Sequence, residues 1–319
     1  MKTKTFASVL VALAVVAGMC TAPALAETYP SKPITLILPL GAGGSHDLNA
    51  RVFTSIIPTY LGQPIVVKLM PGASGQRGTA AAAKARPDGY TLLFTHNYYD
   101  QLQQHVTSLP YDTNRDFKTV VRLNYGVASV VVRADARWRT YQEMISYGRS
   151  NPGKLTFGHS GQWGAVMVPG AQLLHEAGVR ATLVPHKGGG PAMKALLAGD
   201  VDFTMAFKSV ILAQGDNIRT LVSGGTKRSF ANVPTFKELG YKSEVGRMHR
   251  IVMAPAGVPR DRMEKLWAAF EKLDKDKTYN RMMKRLDENT DLMLGPEYDK
   301  QRPIQKAQYK LLVKKITGR

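Results

Sequence analysis

Residues Pro39 to Arg51 read PLGAGGSHDLNAR, and this stretch decides the fold. It follows a short apolar run, Ile34 to Leu38, and leads into Leu48 to Tyr60, where apolar residues recur at helical spacing. A strand that ends in Gly41-Ala42-Gly43-Gly44 and passes at once into a helix is the basic unit of α/β architecture, where ligands gather outside the carboxyl ends of strands. A backbone nearly free of side chains lets its N–H groups approach another group, and a helix start adds partial positive charge. An anion suits that place. A tight strand-to-helix turn with no ligand is the plainer alternative. Ser45 offers a hydroxyl donor at the helix entrance, and Asp47, which cannot itself hold a carboxylate, is expected to cap the helix or hold the loop.

The same alternation continues outward. Strands are expected at 34–38, 65–69, 91–95, 126–132, 155–158, 181–184, 203–206, 220–223 and 251–254. Helices are expected at 48–60, 75–85, 141–150, 166–177, 191–198 and 260–273, with two more in the basic C-terminal tail. Pro71-Gly72 and Asn151-Pro152-Gly153 punctuate them. The fold class is therefore α/β with mostly parallel sheets flanked by helices. The chain is expected to cross between two lobes near 125–128 and to return near 247–252, making the first lobe discontinuous: 27–127, then 128–250 as the second lobe, then 251–319.

Residues 1–26 have the three-part pattern of an export leader: Lys2 and Lys4, an apolar stretch from Phe6 to Met19, and the small-x-small site Ala24-Leu25-Ala26. Cleavage before Glu27 and a periplasmic location are expected. A lipoprotein anchored at Cys20 is the alternative, but Met19 is bulky where the processing enzyme wants a small residue. Cys20 is the single cysteine, so the exported chain has no disulfide, thiolate metal site or cysteine nucleophile. The formal charge is +19, of which only Lys2 and Lys4 leave with the leader. Basicity invites a nucleic-acid reading. The charges are spread, however, without an arginine-rich arm or zinc-finger spacing, so a basic surface that attracts anionic solutes or a membrane partner fits better, with no nucleic acid and no cofactor.

Six blocks then carry a resemblance: YPSKPITLILPLGAGGSHDLNAR (29–51), LGQPIVVKLMPGASGQRGTAAAAKARPDGYTLL (61–93), LPYDTNRDF (109–117), VPHKGGGPAMKALLAGDVDF (184–203), TKRSFANVPTFKELG (226–240) and APAGVPR (254–260). In this order they resemble the Bug-type extracytoplasmic solute receptors of the tripartite tricarboxylate transporters. The resemblance implies a two-lobed type II periplasmic binding protein fold, a small organic acid closed between the lobes, and a two-component membrane transporter as partner; a monomer is expected. It also implies that two loops hold the carboxylates, here Leu40, Gly41, Ala42, Gly43, Gly44, Ser45 and His46 up to Asp47, and Gly158 to Gly164 with His159, Ser160, Gly161, Gln162 and Trp163. Lys187, Gly188 and Gly189 lie nearby, where the lysine either neutralises a carboxylate or covers a helix start in solvent. Ala206, Phe207 and Lys208 follow the next strand and are candidates for the same cleft. Pro71 to Gly75 repeats the glycine chemistry, but a simple helix entrance is the preferred reading there.

Several places depart from the family pattern. His46, His96, His159, His186 and His249 all fall in loops expected to face the cleft, where imidazoles donate, accept or gain charge beside an anion. Scattered surface histidines are the alternative. Asn97, Tyr98 and Tyr99 stand where small polar residues are usual, and the tyrosines either stack on an aromatic acid or fill the lobe interface. Met248-His249-Arg250 replaces an aromatic near the crossing, and His249 and Arg250 would favour extra negative charge on the ligand. An aromatic or polyanionic acid therefore stays open beside simple dicarboxylates. An exported hydrolase is a competing function, since Gly158-His159-Ser160-Gly161 looks like a nucleophile elbow; the G-x-S-x-G pattern fails at Gln162 and no acid/base partner is indicated. A receptor that reports the ligand to a membrane signalling protein would use the same pocket.

Overall fold

The structure is a computed structural model and describes residues 28–225, 227–241 and 247–318. The expected leader, Cys20 and the cleavage point before Glu27 lie outside the described residues. β1 (Ile34–Leu38) is flanked by β2 (Ile65–Leu69) and β3 (Thr91–His96), both parallel to it. The connections are helical, as parallel pairing requires: α1 (Ser45–Ile56) follows β1 and α2 (Gln76–Ala83) follows β2. β4 (Phe117–Arg133) comes next, then α3 (Tyr141–Ser150), β5 (Thr156–His159), α4 (Met167–Glu176), β6 (Thr182–Pro185), α5 (Gly189–Ala198), β7 (Phe203–Phe207), α6 (Lys208–Gln214) and β8 (Ile218–Val222). The chain ends with β9 (Arg247–Pro255), α7 (Arg260–Asp274), α8 (Lys277–Arg285), β10 (Met293–Leu294) and α9 (Gly295–Thr317).

The strand order is β2-β1-β3-β9-β4-β7-β5-β6, with β8 and β10 also paired to β4. The expected parallel pairing holds for β1 with β2 and β3, and for β5 with β6 and β7. Antiparallel pairs enter through β4, β9, β8 and β10, so the sheet as a whole is mixed. β4 is the reason. Its residues from Phe117 to Val127 pair with β9, and those from Ala128 to Arg133 pair with β7 and β8. The expected strand at 126–132 is only the C-terminal part of this 17-residue strand.

Each half of the sheet has its own core. Leu36, Leu38, Phe53, Phe94 and Phe270 pack in the first, and Phe157, Phe203, Met205, Trp138 and Leu155 in the second, where Phe157 and Phe203 stack at 4.7 Å. α9 runs between them: Gly295 lies against the Thr119 backbone of the first half, while Val313 is buried in the second core. Among the described residues no helix is long and apolar enough to cross a membrane.

Candidate ligand-binding cleft

α1 begins at Ser45, three residues earlier than its apolar pattern suggested, because Gly44 in extended conformation (φ −84°, ψ 169°) serves as N-cap. Gly43 has φ +77°, which favours glycine. Asp47 holds the loop: its buried carboxylate accepts from the Gly43 N–H at 2.9 Å and pairs with Arg51 at 3.1 Å. The Gly41 N–H donates to the Lys187 carbonyl at 2.7 Å. Two loop amides are therefore already engaged. The donors left for a ligand are those of the first turn of α1, which by helix geometry have no intrahelical acceptor.

The bare backbone serves a second purpose. A Cβ on Gly190 would stand 2.1 Å from the Ala42 carbonyl oxygen, and one on Gly188 (φ +136°) 2.7 Å from the Gly41 nitrogen. The glycine turn before α5 thus packs backbone to backbone on the glycine turn before α1. Two helix starts, one from each half of the sheet, meet at this contact.

Behind it lies a narrow pocket, about 30 Å³ for the centre of a water-sized sphere and about 460 Å³ with the open solvent in front of it included. Gly41, Gly44, Ser45 and His46 line it from the first loop, Gly189 from the second, and Ser160, Ala165 and Val166 from the approach to α4. Met205, Ala206 and Phe207 at the end of β7, Val210 of α6, and Met248 of β9 complete it with Leu40 and His96. His46 Nε2 lies 3.1 Å from the Thr95 carbonyl, so it carries the proton; His96 Nδ1 accepts from the Tyr99 N–H at 3.3 Å, so its proton sits on Nε2. Both rings are neutral at pH 7. Burial, then His96 and Arg250, hold His46 well below its ordinary value, and burial with Arg250 brings His96 down to about 3. Arg250 itself is fully buried and makes bonds of 3.0 and 2.9 Å to Glu288, and one of 2.9 Å to Asn124. Ser209 of α6 donates to the same Glu288 at 2.7 Å.

A second cavity, lined by Pro39, Gly72 to Gly75, Tyr99, Gly161 and Pro185 to Lys187, shares Leu40 and Ser160 with the first. Here too the halves touch: Ser74 Oγ accepts from the Gln162 N–H at 2.9 Å, and a Cβ on Gly161 would come 2.9 Å from the Tyr99 hydroxyl. Ala73 and Ser74 (φ +46° and +51°) and Trp163 (φ +54°) face this contact with left-handed backbones, which non-glycine residues adopt at a cost. Pro71 to Gly75 is thus a helix entrance and a wall of the cleft.

Of the residues expected at the site, Leu40, Gly41, Gly44, Ser45, His46, His96, Ser160 and Phe207 line the first pocket, and Gly161 and Lys187 the second cavity. Ala42, Gly43 and Gly188 form the loop packing, Gln162 is exposed, and Trp163 packs on the second core. His159 is buried with Nδ1 accepting from the Gly161 N–H at 3.4 Å; burial brings it down to about 4, and no carboxylate is among the groups acting on it. Three expectations are corrected. Asn97 is a clamp, accepting from the His249 N–H at 2.9 Å and donating to the Arg247 carbonyl at 3.0 Å. Lys208 is tied to Asp287 at 2.7 Å, and His249 faces Tyr298 at 3.1 Å rather than the pocket. Arg250, being paired, gives no preference for extra charge on the ligand. Gly189 and Ala206, expected beside Lys187 and Phe207, also line the first pocket, whereas Ala165, Val166, Met205, Val210 and Met248 were missed as lining, since apolar residues at strand ends and helix starts look like ordinary core.

Comparisons with known proteins agree with this fold. The model of the tripartite tricarboxylate transporter family receptor matches residues 49–317. A UPF0065 protein from the gbd 5' region of Cupriavidus necator is 34% identical over 294 residues, 88% of this chain and 87% of the relative. The solved periplasmic binding protein BugD superposes with a TM-score of 0.86 at 26% identity, covering 90% of this chain and 98% of its own. MatC of Rhodopseudomonas palustris with bound malate, at 24% identity, shares the fold with a TM-score of 0.83 over 89% of this chain and all of its own.

Proposed function

Because the chain belongs to the tripartite tricarboxylate transporter receptor family, we propose that it is a periplasmic receptor that closes on a small organic acid and presents it to a membrane transporter. The two halves of the sheet act as the lobes, divided within β4 and β9, and the exported chain begins at Glu27 and works as a monomer. The observation that carries this reading is the meeting of two helix starts, Gly44-Ser45 and Gly189, from opposite halves at one pocket. Backbone amides and two helix starts stabilise an anion there without a fixed positive charge. Reversible capture favours such dipoles over a buried ion pair, whose desolvation is costly in both directions. MatC, whose structure contains malate, supports a carboxylate as the ligand type.

Catalysis is not part of this reading. Ser160 lies in the cleft, but its neighbour His159 turns Nδ1 to a backbone N–H and is not oriented by a carboxylate, so His159 is not set up as a base for it.

The test is a thermal-shift screen of the purified protein against small carboxylates. A ligand at a hundred times its Kd stabilises the folded state by about 2.7 kcal/mol. The expected outcome is a saturable rise in melting temperature that disappears in Ser45→Glu, which places a carboxylate at the start of α1, while the ligand-free variant melts as a folded protein. Stabilisation that survives Ser45→Glu unchanged would place the acid elsewhere.

A further inference from the structure

The two cavities of the cleft differ in size, and the difference decides how an acid lies in them, an inference that rests on the carboxylate reading above. The first pocket, between the starts of α1 and α5, leaves about 30 Å³ for the centre of a water-sized sphere, whereas the second leaves about 180 Å³. The smaller figure is about the room of one or two waters. A carboxylate fills it, and the body of the acid has to lie elsewhere. Leu40 and Ser160 line both cavities, so the second opens directly beyond the first.

The fold leaves one side-chain donor of the second cavity unused. Tyr99 is only 1% exposed, and among the described residues its hydroxyl has no hydrogen-bond partner. Glycines from both halves make room for it: a Cβ on Gly75 would collide with the ring, and one on Gly161 would stand 2.9 Å from the hydroxyl. The ring is held in place, its centre 4.0 Å from that of His96, whose Nδ1 accepts from the Tyr99 N–H. Burial, with Tyr111 nearby, raises the phenol well above its ordinary value, so it keeps its proton and stays a donor. A buried donor without an acceptor costs stability, and a ligand oxygen is the partner this geometry lacks. We propose that the acid spans both cavities, its carboxylate at the helix starts of the first and an oxygen at its far end accepting from the Tyr99 hydroxyl in the second. Tyr99 is then a specificity-determining residue, favouring acids whose far end carries a hydroxyl, oxo or carboxylate oxygen over acids that end in plain hydrocarbon. Lys187, exposed in the same cavity, adds to affinity only where that oxygen belongs to a carboxylate.

The experiment is calorimetric titration of the purified protein with two matched sets: pentanoate, 4-oxopentanoate and glutarate, then benzoate, 4-hydroxybenzoate and terephthalate. In at least one set an oxygen-bearing acid is expected to bind at least about tenfold more tightly than the plain one. Tyr99→Phe, which keeps the ring, is expected to erase most of that difference and to leave the plain acid within about twofold. Without ligand it is expected to melt no lower than the parent, because its hydroxyl has no partner to lose. Lys187→Met tells the two kinds of far end apart: the diacid weakens there when the far oxygen is a carboxylate's, and the oxo or hydroxy acid does not. A plain acid that binds as tightly as its partners in both sets, or a difference that survives Tyr99→Phe, overturns the inference while keeping the carboxylate reading. So does a ligand-free Tyr99→Phe that melts several degrees lower, since the hydroxyl would then have a partner within the protein. Binding of none of the six acids overturns both.

Discussion

Arg250 carries a full charge in the interior, where an unpaired guanidinium would be prohibitive, and Glu288 meets it with two bonds. Removing one partner of such a pair costs more than the pair contributes, about 3–5 kcal/mol, because the other charge stays buried. Glu288→Gln is expected to lower unfolding stability by roughly that amount in urea titrations; a loss under about 1 kcal/mol would mean that Arg250 finds water or another partner. The histidines give a second consequence. His46, His96, His159 and His249 are all depressed, three of them to between about 3 and about 4, chiefly by burial. In the unfolded chain they titrate near 6.5. Below that pH the unfolded state binds protons that the folded state refuses, so stability is full above about pH 7 and falls as pH drops towards 4, by up to about 1.4 kcal/mol per pH unit for each histidine. Melting curves at pH 7.5 and 5 check this, and His96→Gln should flatten the slope. The roles of Arg250 and His249 were not legible in the sequence, because their partners Glu288 and Tyr298 lie 38 and 49 residues away and no local pattern links them.

Elements show why some of the structure was legible. β1 and β2 have the bounds read from their apolar runs, since both are short parallel strands closed by glycine or proline turns. The start of α1 was displaced because Asp47, a residue type common at helix caps, sits in the first turn and holds the loop instead. Half of β4 was missed because Lys118 and Arg122 interrupt its apolar pattern; Arg122 is buried and answered by Asp291 at 2.9 Å, a contact invisible in a local window. The glycine turns were located correctly, but the loops approach each other as well as lining the pocket. That double duty makes Gly190 a sharp probe. Its added Cβ would meet the Ala42 and Gly43 backbones, where no flexible side chain can yield. Gly190→Ala is expected to leave each core intact and melt cooperatively, yet to weaken acid binding at least about tenfold, since a shift of one helix start spoils a dipole contact that acts only at close range. Unchanged affinity in calorimetry would show that the two turns need not touch in the bound form.

Over the whole molecule, β4 and β9 join the two halves of the sheet, and two sets of contacts bring the halves together at the cleft: Gly41 to Lys187 and Ser74 to Gln162. Lys208 and Ser209 of the second half reach Asp287 and Glu288 near the C-terminal end of α8, adding a third junction beside the buried Arg250. The architecture was legible because glycine turns and strand–helix alternation are local features. The composition of the pocket was not: Val166, Met205, Val210 and Met248 come from separate elements and only the fold collects them. The most direct measurement is the crystal structure of the protein with its tightest-binding acid. The expected result places the carboxylate oxygens within hydrogen-bonding distance of the backbone amides that open α1 and α5, with Gly41 still bonded to Lys187. A carboxylate held instead by a lysine or arginine side chain, with the amides at Ser45 and Gly189 left to water, would contradict the central claim.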